Sequence, residues 1–282
     1  MFSLYVSIAE FNIRICFGEI QYYDYSKRQL IHNIKRMYEG FFFSPTNTTS
    51  IDHTIFIVDE TTYQVSGHTK NKKEYIHFFQ TLDNTKTETW YHISSFHFAV
   101  IIKNILDKLL TLHQGFILHA SAVASGERAF IFLGKSGAGK TTIMRLLYPE
   151  YTPIADDGII VRKIQNTYYC FQLPVEKVRW FQRRSHSYHL ASLFLLHQSK
   201  IDSITPIPTQ AILPSLLEQL WAEKLLLKRQ IQNLMNFMKG YRSYYVLAFQ
   251  NKKTEVMKVF NLYQEDYTLS LGPLPHVDPH PL

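Results

Sequence analysis

Cysteine is nearly absent. Cys16 and Cys170 are the only two among 282 residues, and they lie far apart in the chain. That excludes a disulfide scaffold and any sequence-local zinc motif, and it suggests a reduced, cytoplasmic setting. Long apolar runs are lacking too. The best, Phe98 to Ile102, is broken by Lys103, Asn104, Asp107 and Lys108, whereas a membrane span needs roughly 20 mostly apolar residues. No membrane partner is expected. The N-terminus has no basic stretch and carries Glu10 early, unlike a secretory signal. Charged residues make up only 19%, below the usual ~25%. There is no internal repeat, no low-complexity tract and no basic run of the kind a nucleic-acid arm uses, so a nucleic-acid partner is not expected.

What is there is apolar and aromatic. Hydrophobic residues reach 46%, with 18 Tyr and 20 Phe, enough for a sizeable core in one or two domains. The net charge of +7 suits an anionic ligand or a diffuse surface charge.

Residues 1–114 read as a β-rich region ending in a helix, 115–272 as a second domain, and 273–282 as a Pro-rich tail, extended and mobile. Phe2, Leu4, Val6 and Ile8 alternate, then Phe11, Ile13, Ile15 and Phe17 alternate on the other parity. Such a switch marks a bulge or a break between two strands. Ile55–Val58, Tyr63–Val65, Tyr75–Phe79 and Trp90–Ile93 are further short strand candidates, with loops at Thr46–Ser50 and Asp83–Thr87. Ser95 opens a helix whose Phe98, Ile101, Ile102, Ile105, Leu106, Leu109 and Leu112 recur at helical spacing, stopped by Gly115. Strands follow at Phe116–Val123, Arg128–Leu133, Ile159–Arg162 and Tyr168–Leu173. The run Leu213–Met238 reads as helical, and Tyr245–Phe249 with Val256–Phe260 as a closing hairpin.

Residues Gly134 to Thr141, Gly-Lys-Ser-Gly-Ala-Gly-Lys-Thr, fit the phosphate-loop pattern G-x-x-x-x-G-K-[ST] without departure. An apolar strand precedes them and a helix from Lys140 to about Leu147 follows. By chance the pattern arises in roughly one chain of this length in a hundred, and the strand–loop–helix context lowers that further. Glycines let backbone N–H groups close around phosphate oxygens, and the helix N-terminus adds positive potential. Gly134, Ser136, Gly137, Ala138, Gly139, Lys140, Thr141 and Thr142 are therefore the candidate nucleotide-binding residues. Lys140 would reach the β- and γ-phosphates, facing solvent in an empty site, and Thr141 would hold Mg²⁺.

Asp156-Asp157 follows the loop helix and precedes a strand. Adjacent carboxylates there can divide labour, one at the metal and one accepting a proton; an acidic turn is the plainer alternative. His119, in Leu118-His119-Ala120, is either a satisfied core histidine or a site residue near the phosphates.

Leu118-His119-Ala120, then the phosphate loop, then Ala155-Asp156-Asp157 resembles the catalytic domain of the HPr kinase/phosphorylase family. The match is strong from Gly115 to Leu173. The Gly-rich signature that follows the acidic pair in the bifunctional enzymes is not found. The chain is more similar to a divergent group of HPr-kinase-like proteins, some resembling kinases of ribosomally made, lasso-type precursor peptides. The resemblance implies an α/β fold with a phosphoenolpyruvate-carboxykinase-like mixed sheet, ATP and Mg²⁺, and phosphoryl transfer to a hydroxyl, by family a serine, of a protein or peptide. It implies that His119, Lys140, Asp156 and Asp157 form the reaction centre, with Thr141, Asp156 and Asp157 at the metal and either aspartate as base. A small-molecule kinase and a nucleotide-binding regulatory protein with little turnover are the competing readings, and a homo-oligomer stays open.

Weaker signals remain. Lys177, Arg179, Arg183 and Arg184 cluster around Trp180 and Phe181; they read as a solvated basic face or a grip for an acidic peptide, an additional phosphate or nucleic acid. His113, His186 and His189 lack metal-ligand spacing with acidic or Cys partners. Tyr38–Phe43 reads as N-terminal core, and Lys252 and Lys253 as a hairpin turn.

Overall fold

The parity switch near residue 9 is a tight hairpin. β1 (Phe2–Ile8) and β2 (Phe11–Phe17) pair antiparallel, and Ala9 and Glu10 between them take φ of 52° and 61°. A two-residue loop with both φ values positive matches the twist of the strands it joins. This is the computed structural model of the chain, describing residues 2–18, 24–59, 78–174 and 181–271. It is an α/β structure: among the described residues the strands form two mixed sheets flanked by helices.

The first sheet has five strands in the order β1-β2-β3-β5-β4. α1 (Tyr25–Met37) connects β2 to β3 (His53–Val58), which lies parallel to β2. β4 (Phe79–Asp83) and β5 (Lys86–Trp90) form an antiparallel hairpin. So Asp83–Thr87, expected as a loop, is mostly strand; only its tip turns, held by Thr85 N–H donating to Asp83 Oδ1 at 2.7 Å. Residues 91–93 lie beyond the strand expected there. Tyr63–Val65 and Tyr75–His77 fall outside the described residues. α2 (Ser95–Leu112) is capped by Ser94, which accepts from the His97 N–H, as a first-turn orphan donor requires. Its Phe98, Ile101, Ile102, Ile105 and Leu106 pack with Ile13, Ile15, Ile55 and Ile57 of β2 and β3. The helix stop is Gln114, at φ 55°, and not Gly115. Gly115 already begins a strand, where a Cβ would lie 2.5 Å from Leu110.

Phe116–Val123 is two strands, not one: β6 (Gly115–Leu118) and β7 (Ser121–Ser125), broken at His119-Ala120. β7 turns onto β8 (Arg128–Leu133), which leads into α3 (Lys140–Leu147) and β9 (Thr152–Ala155). β10 (Ile159–Ile164), β11 (Thr167–Gln172), β12 (Tyr188–Gln198) and β13 (Ser203–Pro206) follow. α4 (Thr209–Gln219) and α5 (Leu227–Gly240) replace the single helix expected over Leu213–Met238. The break has a cause: Trp221 N–H donates to Ile117 O at 2.9 Å, drawing residues 219–221 onto the edge of β6. β14 (Tyr244–Phe249) is followed by α6 (Lys253–Leu271). Val256–Phe260 is thus helical, not the second arm of a hairpin, and Lys252 and Lys253 lead into that helix. Val256 and Phe260 are both buried, one helical turn apart.

β12 is central to the nine-stranded second sheet, parallel to both β8 and β14. Both faces of this sheet are covered. Along β8, Ala129, Ile131 and Leu133 enter a core with α4 and α5, while Phe130 and Phe132 enter one with α3 and α6. Polar side chains then have room only where strands end. The tail 273–282 lies outside the described residues.

Candidate functional site

His119, Lys140, Thr141, Asp156 and Asp157 gather where strands of the second sheet stop. β8 ends at Leu133, and residues 134–139 turn into α3. A Cβ on Gly134 would stand 2.6 Å from that of Ala138. Gly137 and Gly139 take φ of 82° and 101°, and a Cβ on Gly139 would also meet Phe249 at 2.7 Å. Only glycine fits these positions without strain. No side chain caps α3, so its leading N–H groups point into the loop, a geometry suited to an anion. Ser121 Oγ ties down the other end of this turn, donating to Lys140 O at 2.9 Å, and Gln198 Nε2, the last residue of β12, donates to Gly137 O at 3.0 Å.

Lys140 is only partly buried. Its Nζ folds back onto the loop, 2.7 Å from Gly134 O. Burial pushes its pKa below the ordinary value, opposed by the charges of Asp157, Asp156 and Glu218. Both aspartates therefore sit within electrostatic reach of this ammonium.

The two aspartates, directly past β9, turn to different partners. Thr141 Oγ1 donates to Asp156 Oδ1 at 2.7 Å. Asp157 Oδ1 lies 2.9 Å from His119 Nε2, each side chain nearly half exposed. His119 occupies the break between β6 and β7, so the core-histidine alternative does not hold. Its backbone N–H donates to Gln219 O at 2.7 Å, which fixes the ring at the strand end. Thr141 and Asp156 offer hard oxygen donors side by side, the ligand type Mg²⁺ takes. No group of three or more His, Cys, Asp or Glu among the described residues, at this site or elsewhere, could hold a metal.

The basic segment lies only in part among the described residues. Lys177, Arg179 and Trp180 lie outside the described residues. Arg183 is not simply a solvated charge: Nη1 donates to Met37 O, at the last residue of α1, at 2.7 Å. Arg184 N–H donates to Gln172 Oε1 at 2.6 Å. His186 pairs with Glu127 at 2.9 Å, His189 lies against Tyr169, and His113 lies against Phe11. Tyr38 and Phe41 are core as expected, whereas Phe42 is exposed. Sequence reasoning missed Ser121, Gln198 and Trp221. Ser121 had a signal, a hydroxyl opening an apolar strand two residues from His119. The other two had none, being brought in by distant pairings.

No described helix is long and apolar enough to cross a membrane. The class is that of an α/β chain whose mixed sheet carries a glycine-rich loop at a strand end. The model of the family described as SynChlorMet cassette protein ScmC matches residues 82–237, over half of the chain, and the chain belongs to that family. Among solved structures it is similar to the Hpr(Ser) kinase/phosphatase from Coxiella burnetii, at 9% identity and a TM-score of 0.31, covering 55% of this chain and 98% of that one. A superposition that loose leaves function to the residues themselves. No curated protein matches the chain significantly.

Proposed function

We propose that this protein is an ATP-dependent kinase that transfers the γ-phosphoryl group to a hydroxyl, a serine by the sequence resemblance, of a protein or peptide. One observation carries the reading: consecutive aspartates beside a glycine-rich loop are held by different partners, Asp156 by the Thr141 hydroxyl and Asp157 by His119. That is the division of labour phosphoryl transfer needs. Lys140 and the α3 N-terminus bind the phosphates. Thr141 and Asp156 hold Mg²⁺, which when bound neutralises charge on the phosphate oxygens. Asp157 takes the proton of the acceptor hydroxyl as its oxygen bonds to the γ-phosphorus, and the bond to the β-phosphate oxygen breaks to release ADP. His119 orients Asp157. A precursor peptide of the ribosomally made type fits this acceptor class.

The test is radiolabelled ATP with Mg²⁺ and an extract of the producing cell, the labelled species being identified afterwards. Wild type should label an acceptor. Asp157→Asn should lose about 10²–10⁴-fold in rate with ATP affinity retained, and Lys140→Ala should lose ATP affinity itself. An Asp157→Asn variant with wild-type transfer, or a Lys140→Ala variant binding ATP as tightly as wild type, sinks the assignment.

A further inference from the structure

A cleft of about 1340 Å³ opens directly beside Asp157 and Gly158. One wall is Trp221. The backbone bond from Trp221 to Ile117 fixes it next to the His119 strand end, and a Cβ on Gly158 would lie 3.3 Å from its indole. The first half of the molecule supplies further lining: Arg36 near the end of α1, and Phe96, Val100 and Lys103 along α2. Phe96 is 71% exposed, a large ring on α2 that the core does not use. Lys103 is positioned from beneath: its ammonium lies 2.6 Å from Asp107, a wholly buried carboxylate, and 5.1 Å over the Trp221 ring.

Three features define what fits. The volume exceeds the roughly 300–1,000 Å³ of small-ligand pockets. The aromatic walls are suited to an apolar side chain, with a cation beside them. Among the described lining residues the cations Arg36, Lys103 and Arg183 outnumber the acids Glu39 and Asp157, and Asp157 is already engaged with His119.

We infer that this cleft is the acceptor site, and that it takes an extended peptide carrying, within a few residues of its hydroxyl, an aromatic or apolar side chain and a carboxylate. The inference rests on the kinase reading and adds to it what the acceptor is and which residues read it. The ring lodges between Phe96 and Trp221; the carboxylate meets Lys103 and Arg36; the hydroxyl is brought to Asp157.

An arrayed set of fluorescent serine peptides, varied among Phe, Asp, Lys and Gly around the serine, tests this with two readouts. Anisotropy gives binding, and radiolabelled ATP gives transfer. Peptides with Phe and Asp should bind about tenfold or more tighter than their Gly and Lys counterparts, a difference of about 1.4 kcal/mol. Phe96→Ser should erase the Phe preference and Lys103→Gln the Asp preference, with ATP affinity unchanged. Phe96 is exposed and Gln still offers Asp107 a donor, so neither variant empties the core; thermal melts verify this. Equal binding of all peptides, no binding at all, or preferences that survive both variants overturn the cleft assignment. Selective binding with no transfer of label to any peptide keeps the cleft and overturns the kinase reading. Transfer without selectivity does the reverse.

Discussion

The two halves of the molecule treat a histidine and a carboxylate in opposite ways. In the first, His53 is 2% exposed and Asp107 not at all. In the second, His119 and Asp157 keep 46% and 48% of their side-chain surface. The first pair is structural. His53 Nε2 meets Thr87 Oγ1 at 2.9 Å across β3 and β5, and Asp107 holds Lys103 at 2.6 Å. The second pair stands at strand ends, open to a reactant. The difference follows from sheet architecture. β2 and β3 alternate buried and partly buried residues, so a polar group can enter along their length. β8 is buried on both faces, and only its end is left for chemistry. A charge is costly to bury unless paired, so a working carboxylate belongs at the end.

The largest effect expected from breaking this arrangement is at the loop. Gly139→Ala puts a Cβ 2.7 Å from Phe249 at φ 101°. Backbone strain alone costs about 1–3 kcal/mol, and the ring must also shift. Denaturation should show this loss, and ATP affinity should fall with it. Gly137→Ala meets nothing within 4 Å and should cost the strain alone. Equal costs for the two would mean that Phe249 yields freely and that the loop is less constrained than its geometry indicates.

Next in size is pH, where the buried pair should act with opposite signs. Burial lowers His53 from 6.5 to about 4. A depressed histidine contributes stability that is complete above the unfolded value and lost as pH falls through the folded one, here from 6.5 towards 4. Burial, against the pull of Lys103, raises Asp107 from 3.8 to about 6. A raised carboxylate contributes stability that is complete below 3.8 and lost as pH rises through about 6. Each contribution is at most about 3 kcal/mol. Denaturation at pH 4.5 and 7 should therefore show His53→Gln removing an acid loss and Asp107→Asn removing a loss on the alkaline side. Two variants with parallel pH profiles would mean that one of these groups is more open to water than its neighbours allow.

How much of this was legible in the sequence depended on whether a segment carried its own period. The loop was legible because a pattern of glycines with Lys140 and Thr141 sits between an apolar strand and a helix, all contiguous. The period of α2 was legible, and the parity switch told of the β1–β2 turn. α1 was not: only Leu30 and Ile34 of its 13 residues are buried, too thin a stripe to stand out. β12 was missed because a strand covered on both faces has no alternation, and its partners β8 and β14 lie far away in the chain. Val256–Phe260 reads as a strand in sequence because a short apolar run fits either period. Within the site, the opposed orientation of Asp156 and Asp157 had no sequence signal; it is fixed by the exit of β9 and by Thr141 and His119 reaching from elsewhere.

The smallest effect concerns one of the contacts that join the two halves. Arg183 Nη1 donates to Met37 O at 2.7 Å, and Ser185 N–H to Gly40 O at 2.8 Å. Gly40 sits at φ 87°, and a Cβ there would stand 2.2 Å from Arg183 O, so the two segments touch through backbone. Arg184, by contrast, reaches only Gln182 with its side chain, exposed, at 3.2 Å. A single bond from a charged donor is worth about 1.5–3 kcal/mol when its acceptor is left unpaired, and about 1 kcal/mol when water replaces it. The Met37 carbonyl ends a helix and lines an open cleft, so water can replace the guanidinium. Arg183→Gln should therefore cost about 1 kcal/mol in stability and Arg184→Gln less than about 0.5. Because Arg183 also lines the acceptor cleft, peptide affinity separates its two tasks. If Arg183→Gln loses stability but binds acidic peptides as before, the residue is a tie between the halves and the cleft is read by Lys103 and Arg36 alone. If affinity for Asp-containing peptides falls while Gly-containing ones are unaffected, Arg183 reads the acceptor as well. Equal stability losses for Arg183→Gln and Arg184→Gln would remove this tie and leave α2 held to the second half by Asn104 on Glu223 and Gln230 on Thr111.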